Sequence, residues 1–188
     1  MFVIYNFFLF LVIFISPLII LIRIFLGKED QNRFKEKYGF LAKNNNNNEI
    51  VWIHGASVGE ILSIIPIIKK FEKDKKIKKI LITSSTTSSS LILSKFRFKK
   101  TVHQFYPFDL NFLTKHFINH WKPKLAIFVD SEIWPNMFNN LHKKNIPLIL
   151  LNARITKKSF NRWKFFPNFS KKIFEKITLA LPQNVETK

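Results

Sequence analysis

No residue between positions 2 and 22 carries a charge at neutral pH, and only Asn6, Ser16 and Pro17 interrupt a run of apolar and aromatic side chains. As a helix, that stretch rises roughly 30 Å, about the thickness of a bilayer's hydrocarbon core. Pro17 would kink it, but membrane helices tolerate proline where the freed carbonyl finds another partner. A secretory leader should open with positive charge and end in small residues before a cleavage site. Here no Lys or Arg precedes the run, and it ends in Leu21-Ile22-Arg23-Ile24-Phe25. A core helix apolar on every face is rare in a domain of this size. The stretch is therefore expected to be an N-terminal membrane helix, with a shallow, tilted insertion as a variant. Arg23, Lys28, Arg33, Lys35 and Lys37 follow it. The positive-inside rule then places the rest of the chain in the cytoplasm, close to anionic headgroups.

The remainder has room for one domain. Cysteine is absent from the 188 residues, which excludes disulfides and thiolate metal sites. Lys and Arg number 31 against 12 Asp and Glu, a net charge of +19. Such an excess attracts nucleic acid, anionic lipid or phosphorylated glycolipid, and charge alone does not choose among them. A general bias toward Lys, Asn, Ile and Phe, including the run from Asn44 to Asn48, would supply much of the charge with no partner at all.

Beyond a loop at 39–49 the chain alternates. Short β-rich runs fall at 50–54, 79–83, 101–105, 125–130, 147–152 and 177–182, with helical stretches at 58–73, 86–95, 109–119, 134–144 and 159–176 between them. Leu125-Ala126-Ile127-Phe128-Val129 is apolar without alternation, as expected of a strand covered on both faces. The spacing predicts an α/β domain built on an open parallel sheet. The organisation expected is a membrane anchor at 1–25, a basic juxtamembrane segment with the asparagine-rich loop at 26–49, and a Rossmann-like domain at 50–188. Open sheets of this kind bind ligands beyond the carboxyl ends of their strands. Hydroxyls, amides, carboxylates and small residues collect there: His54-Gly55-Ala56-Ser57, Thr83-Ser84-Ser85-Thr86, Tyr106-Pro107-Phe108-Asp109, Asp130-Ser131-Glu132, Asn152-Ala153-Arg154 and Gln183-Asn184.

Gly55-Ala56-Ser57-Val58-Gly59-Glu60 joins the first strand to the first helix of the domain. Small residues allow a ligand close to the backbone, and the helix N-terminus favours negative charge. The glycine spacing is neither a dinucleotide fingerprint nor a P-loop. Ser57 and Glu60 also fit a capping box, in which Glu60 reaches back to the Ser57 amide. From the pattern alone, capping and catalysis both stand, and the acids at 130 and 132 are open to the same two readings.

Taken in order, the motifs resemble the Kdo (3-deoxy-D-manno-octulosonic acid) transferases of lipopolysaccharide assembly. The likeness runs from Arg33-Phe34-Lys35-Glu36-Lys37-Tyr38-Gly39 through Trp52-Ile53-His54-Gly55-Ala56-Ser57-Val58-Gly59-Glu60 and Tyr106-Pro107-Phe108-Asp109. It continues with Asp130-Ser131-Glu132-Ile133-Trp134-Pro135-Asn136 and closes at Asn152-Ala153-Arg154 and Leu181-Pro182-Gln183-Asn184. The resemblance implies the N-terminal half of a GT-B glycosyltransferase, inverting and metal-independent, that transfers Kdo from CMP-Kdo to a lipid A precursor at the cytoplasmic side of a bacterial inner membrane. It implies Glu60 as general base, Asp130 in transition-state stabilisation, and acceptor contacts at Ser57, Gly59, Glu132 and Arg154. Asp130 replaces the family's usual Glu and is one methylene shorter. The donor site belongs to a C-terminal half that this chain does not contain, so no cofactor or donor residue is assigned. The chain is expected to be inactive alone, with a separately encoded C-terminal half as a partner. The alternative is a non-enzymatic, membrane-tethered α/β module that binds anionic glycolipid or nucleic acid. No nucleic-acid signature is present, and nucleic acid is not the expected partner.

Overall fold

The six β-rich runs form one parallel sheet in the computed structural model, which describes residues 1–44 and 49–184. The asparagine-rich tip at 45–48 lies outside the described residues. The strands are β1 (Ile50–His54), β2 (Lys79–Ser84), β3 (Thr101–Phe105), β4 (Pro123–Val129), β5 (Leu148–Ala153) and β6 (Leu179–Pro182), in the order β3-β2-β1-β4-β5-β6. All neighbouring pairs are parallel. The helices that connect them are α2 (Val58–Lys73), α3 (Thr87–Ser94), α4 (Asn111–Trp121), α5 (Pro135–Lys143), α6 (Lys157–Lys164) and α7 (Pro167–Phe174).

Alternate strand residues feed two cores. Ile53, Ile127 and Val129 pack under α2 and α3, while Trp52, Ala126 and Phe128 pack under α4, α5 and α7. Burial on both faces is why the central strands read as unbroken apolar runs. The helix expected at 159–176 is instead two helices. Pro167 has no amide hydrogen to continue α6 and occupies the first turn of α7, where none is needed.

The apolar N-terminal stretch is a single helix, α1 (Phe2–Phe25), through Pro17. It is long and apolar enough to cross a membrane, with a mean hydropathy of 2.8. It also docks on the domain along one face. The Tyr5 hydroxyl donates to Asp109 Oδ2 at 2.8 Å and Asn136 Nδ2 donates to Asn6 Oδ1 at 2.8 Å. Ser16 bonds the Tyr38 hydroxyl at 2.7 Å, and Arg23 pairs with Glu29 at 3.1 Å. The few polar residues of the apolar run thus point at protein.

The basic segment after α1 is a folded strap containing a 3₁₀ turn (Phe34–Tyr38). Arg33 pairs with Glu36 through two nitrogens and also reaches His103, and Glu36 accepts the Phe105 amide at the end of β3. Lys37 pairs with buried Glu29. Three of the five cations expected at headgroups are therefore committed inside the fold, and Lys28 and Lys35 remain exposed.

Asp109 joins these layers. It lies just before α4, fully buried, and accepts the amides of Asn136 and Met137 in the first turn of α5 as well as the Tyr5 hydroxyl. Burial pushes its carboxyl up from 3.8 to about 7, against the pull of those hydrogen bonds. Folded Asp109 therefore keeps a proton, between pH 4 and 7, that the unfolded chain has shed. Linkage makes this contribution to stability fall as the pH rises through that window. The urea midpoint of the detergent-solubilised chain should decline from about pH 4 to pH 7. Asp109→Asn should flatten that decline, whereas an unchanged slope in the variant would remove Asp109 as its source.

Candidate active site

The chain leaves β1 toward β2 and β3, then crosses back to start β4 on the other side of β1. The switch point of the sheet thus lies between the carboxyl ends of β1 and β4, where open α/β sheets leave a crevice for ligands. The loops that follow these two strands carry Ser57, Gly59 and Glu60 on one side and Asp130, Ser131 and Glu132 on the other.

On the β1 side, Ser57 caps α2 and its hydroxyl oxygen accepts the Glu60 amide at 3.3 Å. The Glu60 carboxylate reaches back, as a capping box requires, but not to the expected Ser57 amide. Its Oε2 accepts the Ala56 amide at 2.8 Å and its Oε1 accepts the Ser57 hydroxyl at 2.7 Å. The carboxylate is half-buried, fixed at both oxygens, and retains lone pairs for an incoming proton. Gly55 allows this: a Cβ there would stand 3.2 Å from Glu60 Cβ. Gly59 faces open space, with nothing within 4 Å of a built Cβ.

On the β4 side, Asp130 adopts the left-handed region, with φ of 63°, and turns the chain sharply off the strand. Its Oδ1 lies 3.0 Å from the Ser131 hydroxyl, which bonds the Arg154 carbonyl after β5 at 2.6 Å. Arg154 itself is exposed, and its guanidinium has no partner among the described residues.

Glu132 is clamped. Its Oε2 accepts from His54 Nε2 at 3.2 Å and from the Trp134 indole at 2.8 Å. Burial pushes this carboxyl up, but the bond and field of His54 and the Trp134 donor outweigh it and hold Glu132 below the usual range. Behind it, Trp52 Nε1 donates to Thr83 Oγ1, which lies 2.9 Å from His54 Nδ1. Nδ1 also lies 3.2 Å from the Thr83 carbonyl, which can only accept, so a ring with hydrogen on both nitrogens donates to Thr83 and to Glu132 together. The Tyr106 ring lies tilted against His54, with centroids 4.1 Å apart, and against Trp134 at 5.2 Å, and its buried hydroxyl has no partner among the described residues.

The geometry thus joins Ser57 with Glu60 and, separately, Asp130 with the Arg154 backbone, while the contact across the switch point is His54 with Glu132. His54 and Tyr106 stood at the expected ligand edge, but the sequence assigned no role to them or to Trp134. Each stands beside a motif acid in sequence or at the end of a strand, which is the signal that marks them. A lysine-rich cleft lined in part by Lys122, Lys124 and Lys144 lies at the opposite edge, where β4 begins, and a second, with Lys115 and Lys143, lies between α4 and α5. Among the described residues, no group of three or more His, Asp or Glu is placed to hold a metal ion.

Residues 32–188 match the family model described as 3-Deoxy-D-manno-octulosonic-acid transferase (kdotransferase). A transferase of that name from Rickettsia bellii is 38% identical over 180 residues, covering 96% of this chain and 43% of that protein. The Rickettsia typhi protein is 43% identical over 134 residues (67% and 29%), and the Haemophilus influenzae protein is 30% identical over 155 residues (82% and 36%). The chain thus spans less than half the length of these relatives. Among solved structures, UDP-GlcNAc 2-epimerase from Neisseria meningitidis is similar, with a TM-score of 0.49 and 14% identity over 71% of this chain and 39% of that one.

The two glycines of the Glu60 loop should respond oppositely to a methyl group. Gly55→Ala forces Glu60 or the loop to move and should lower the melting temperature. Gly59→Ala meets nothing and sits in the first turn of a helix, so it should be neutral or stabilise by up to about 1 kcal/mol. Thermal melts of both variants check this, and the reverse order would contradict the loop geometry.

Proposed function

This chain belongs to the 3-deoxy-D-manno-octulosonic acid (Kdo) transferase family, and from that membership we propose that it forms the acceptor-binding half of a GT-B enzyme. The reaction is transfer of Kdo from CMP-Kdo to a hydroxyl of a lipid A precursor, during assembly of the lipopolysaccharide inner core. The donor nucleotide is held by a C-terminal half, supplied as a separate chain or as the rest of a longer one. The 188 residues alone do not turn over. The observation that carries this reading is the Glu60 carboxylate, fixed by the Ala56 amide and Ser57 hydroxyl at the edge of the switch-point crevice.

In the proposed step the acceptor hydroxyl attacks the anomeric carbon of Kdo while CMP departs from the opposite face, which inverts the centre. Glu60 takes the proton of that hydroxyl, and its two existing hydrogen bonds hold the receiving oxygen in place. Asp130 stabilises the positive charge that develops on the sugar ring. Glu132 stays ionised and sets the crevice wall through His54 and Trp134. Ser57 and Gly59 line the acceptor side, where open space over Gly59 admits a sugar close to the backbone. Arg154, exposed and without a partner among the described residues, is suited to a phosphate of the acceptor. No metal or cofactor enters the scheme.

The chain acts at the cytoplasmic face of the inner membrane, held there by α1 and attracted by its net charge of +19 to anionic lipid rather than nucleic acid. The test is Glu60→Gln, assayed in membranes that also contain the donor-binding half. Glutamine still completes a capping box, so stability should hold. Turnover should fall by roughly 10²–10⁴. Near-normal turnover at unchanged melting temperature would leave Glu60 a helix cap and nothing more.

A further inference from the structure

The contacts of α1 run along nearly its whole length. Tyr5 and Asn6 are bound by Asp109 and Asn136, Ser16 by Tyr38, and Arg23 by Glu29. From Tyr5 to Arg23 the helix axis advances roughly 27 Å. Were α1 to cross a bilayer in this docked position, the polar domain would have to follow it into hydrocarbon. A perpendicular helix would instead have to break the contacts of Tyr5, Asn6 and Ser16, taking one donor from the buried carboxyl of Asp109.

The opposite face of α1 is apolar along the same length. Val3, Phe14 and Phe25 are 82%, 85% and 86% exposed, and Phe7, Phe10 and Leu18 are also exposed. A second feature adjoins it. Helix α6 has no buried residue, and Lys157, Lys158, Arg162 and Lys164 alternate with exposed Phe160, Phe165 and Phe166 around its end. Cations interleaved with exposed aromatics are the composition of a segment that lies at a lipid–water interface. The two surfaces are continuous, because Ile4 and Phe8 of α1 share a groove of about 480 Å³ with Arg162 and Phe166. Ser131 and Ile133, from the loop of the candidate acids, line the same groove.

We infer that α1 lies in the plane of an anionic bilayer, its outer face sunk into one leaflet. The basic, aromatic end of α6 is a second point of insertion beside it. The protein is then held on one leaflet rather than by a span, and the groove places the Asp130–Glu132 loop beside a lipid still resident in that leaflet. The cations of α6 supply the attraction to anionic headgroups that Arg23, Arg33 and Lys37 cannot, since these are paired within the fold. This inference rests on the proposed membrane attachment and adds to it a geometry.

The absence of cysteine makes the test direct, since each introduced thiol is unique. Single cysteines at Val3, Phe10, Phe14, Leu21 and Phe165, all exposed, leave the packed face untouched. Each variant of the full chain is spin-labelled, bound to vesicles of phosphatidylcholine and phosphatidylglycerol, and its depth read from relative accessibility to oxygen and to a polar nickel complex. All five labels should share one shallow depth. A profile deepest near Phe10 and Phe14, with Val3 and Leu21 at opposite surfaces and Phe165 in water, would show a spanning helix. That result would overturn this inference and leave membrane attachment standing. Failure of the chain to float with the vesicles would overturn both.

Discussion

The buried carboxyl of Asp109 ties together parts of the chain that are far apart in sequence. It accepts from Tyr5 in α1 and from the first amides of α5, while its own backbone sits at the end of the β3 connection. Helix N-termini leave amides without partners, and one buried acceptor meets two of them here. Because α5 follows directly on Glu132-Ile133-Trp134, fixing its first turn also fixes the loop that presents Glu132 to His54. The docking of α1 and the shape of the crevice wall thus depend on one side chain. The strap between α1 and β1 repeats the device at smaller scale, with Glu29 gathering Arg23 and Lys37, and Glu36 gathering Arg33 and the Phe105 amide.

Much of the fold was legible because its physics is local. Central parallel strands covered on both faces leave apolar runs, as at β1, β2 and β4, and the edge strands β3 and β6 also fall within expected β-rich runs, although β6 is exposed throughout. The break between α6 and α7 was also written in the sequence, at Pro167, but the amphipathic pattern continues across it and hides the proline's effect. The docking of α1 was harder to see. Tyr5, Ser16 and Arg23 recur close to whole helical turns and so mark one face, yet against so apolar a background they read as interruptions. Their partners, Asp109, Tyr38 and Glu29, are distant or sit in a segment whose charge pointed to lipid. Nothing in a run of cations reveals which will pair inside the fold.

At the candidate site, the chemistry-bearing residues were legible and their supports were not. Ser57 and Glu60 could be named from their spacing, and the capping geometry is present with the carboxylate shifted onto the Ala56 amide. Capping and proton transfer are not rivals in this arrangement, since the bonds that cap the helix also hold the oxygen a base would use. The roles of Asp130 and Glu132 separate only in three dimensions. Glu132 is locked to His54 and Trp134 as a standing anion, whereas the Asp130 carboxylate meets, among the described residues, the neighbouring Ser131 hydroxyl. His54 reads in sequence as the end of a strand, and its bond across the switch point becomes visible only once β1 and β4 are neighbours.

The central claim is that the acceptor binds at the switch point, between the loops after β1 and β4. Photo-crosslinking tests it most directly, using a phosphorylated glucosamine lipid that carries a diazirine on its sugar and peptide mapping of the labelled chain. Adducts within 55–60 and 130–134 are the expected result. Adducts confined to the lysine-lined cleft around Lys122, Lys124 and Lys144, at the opposite edge of the sheet, would contradict it.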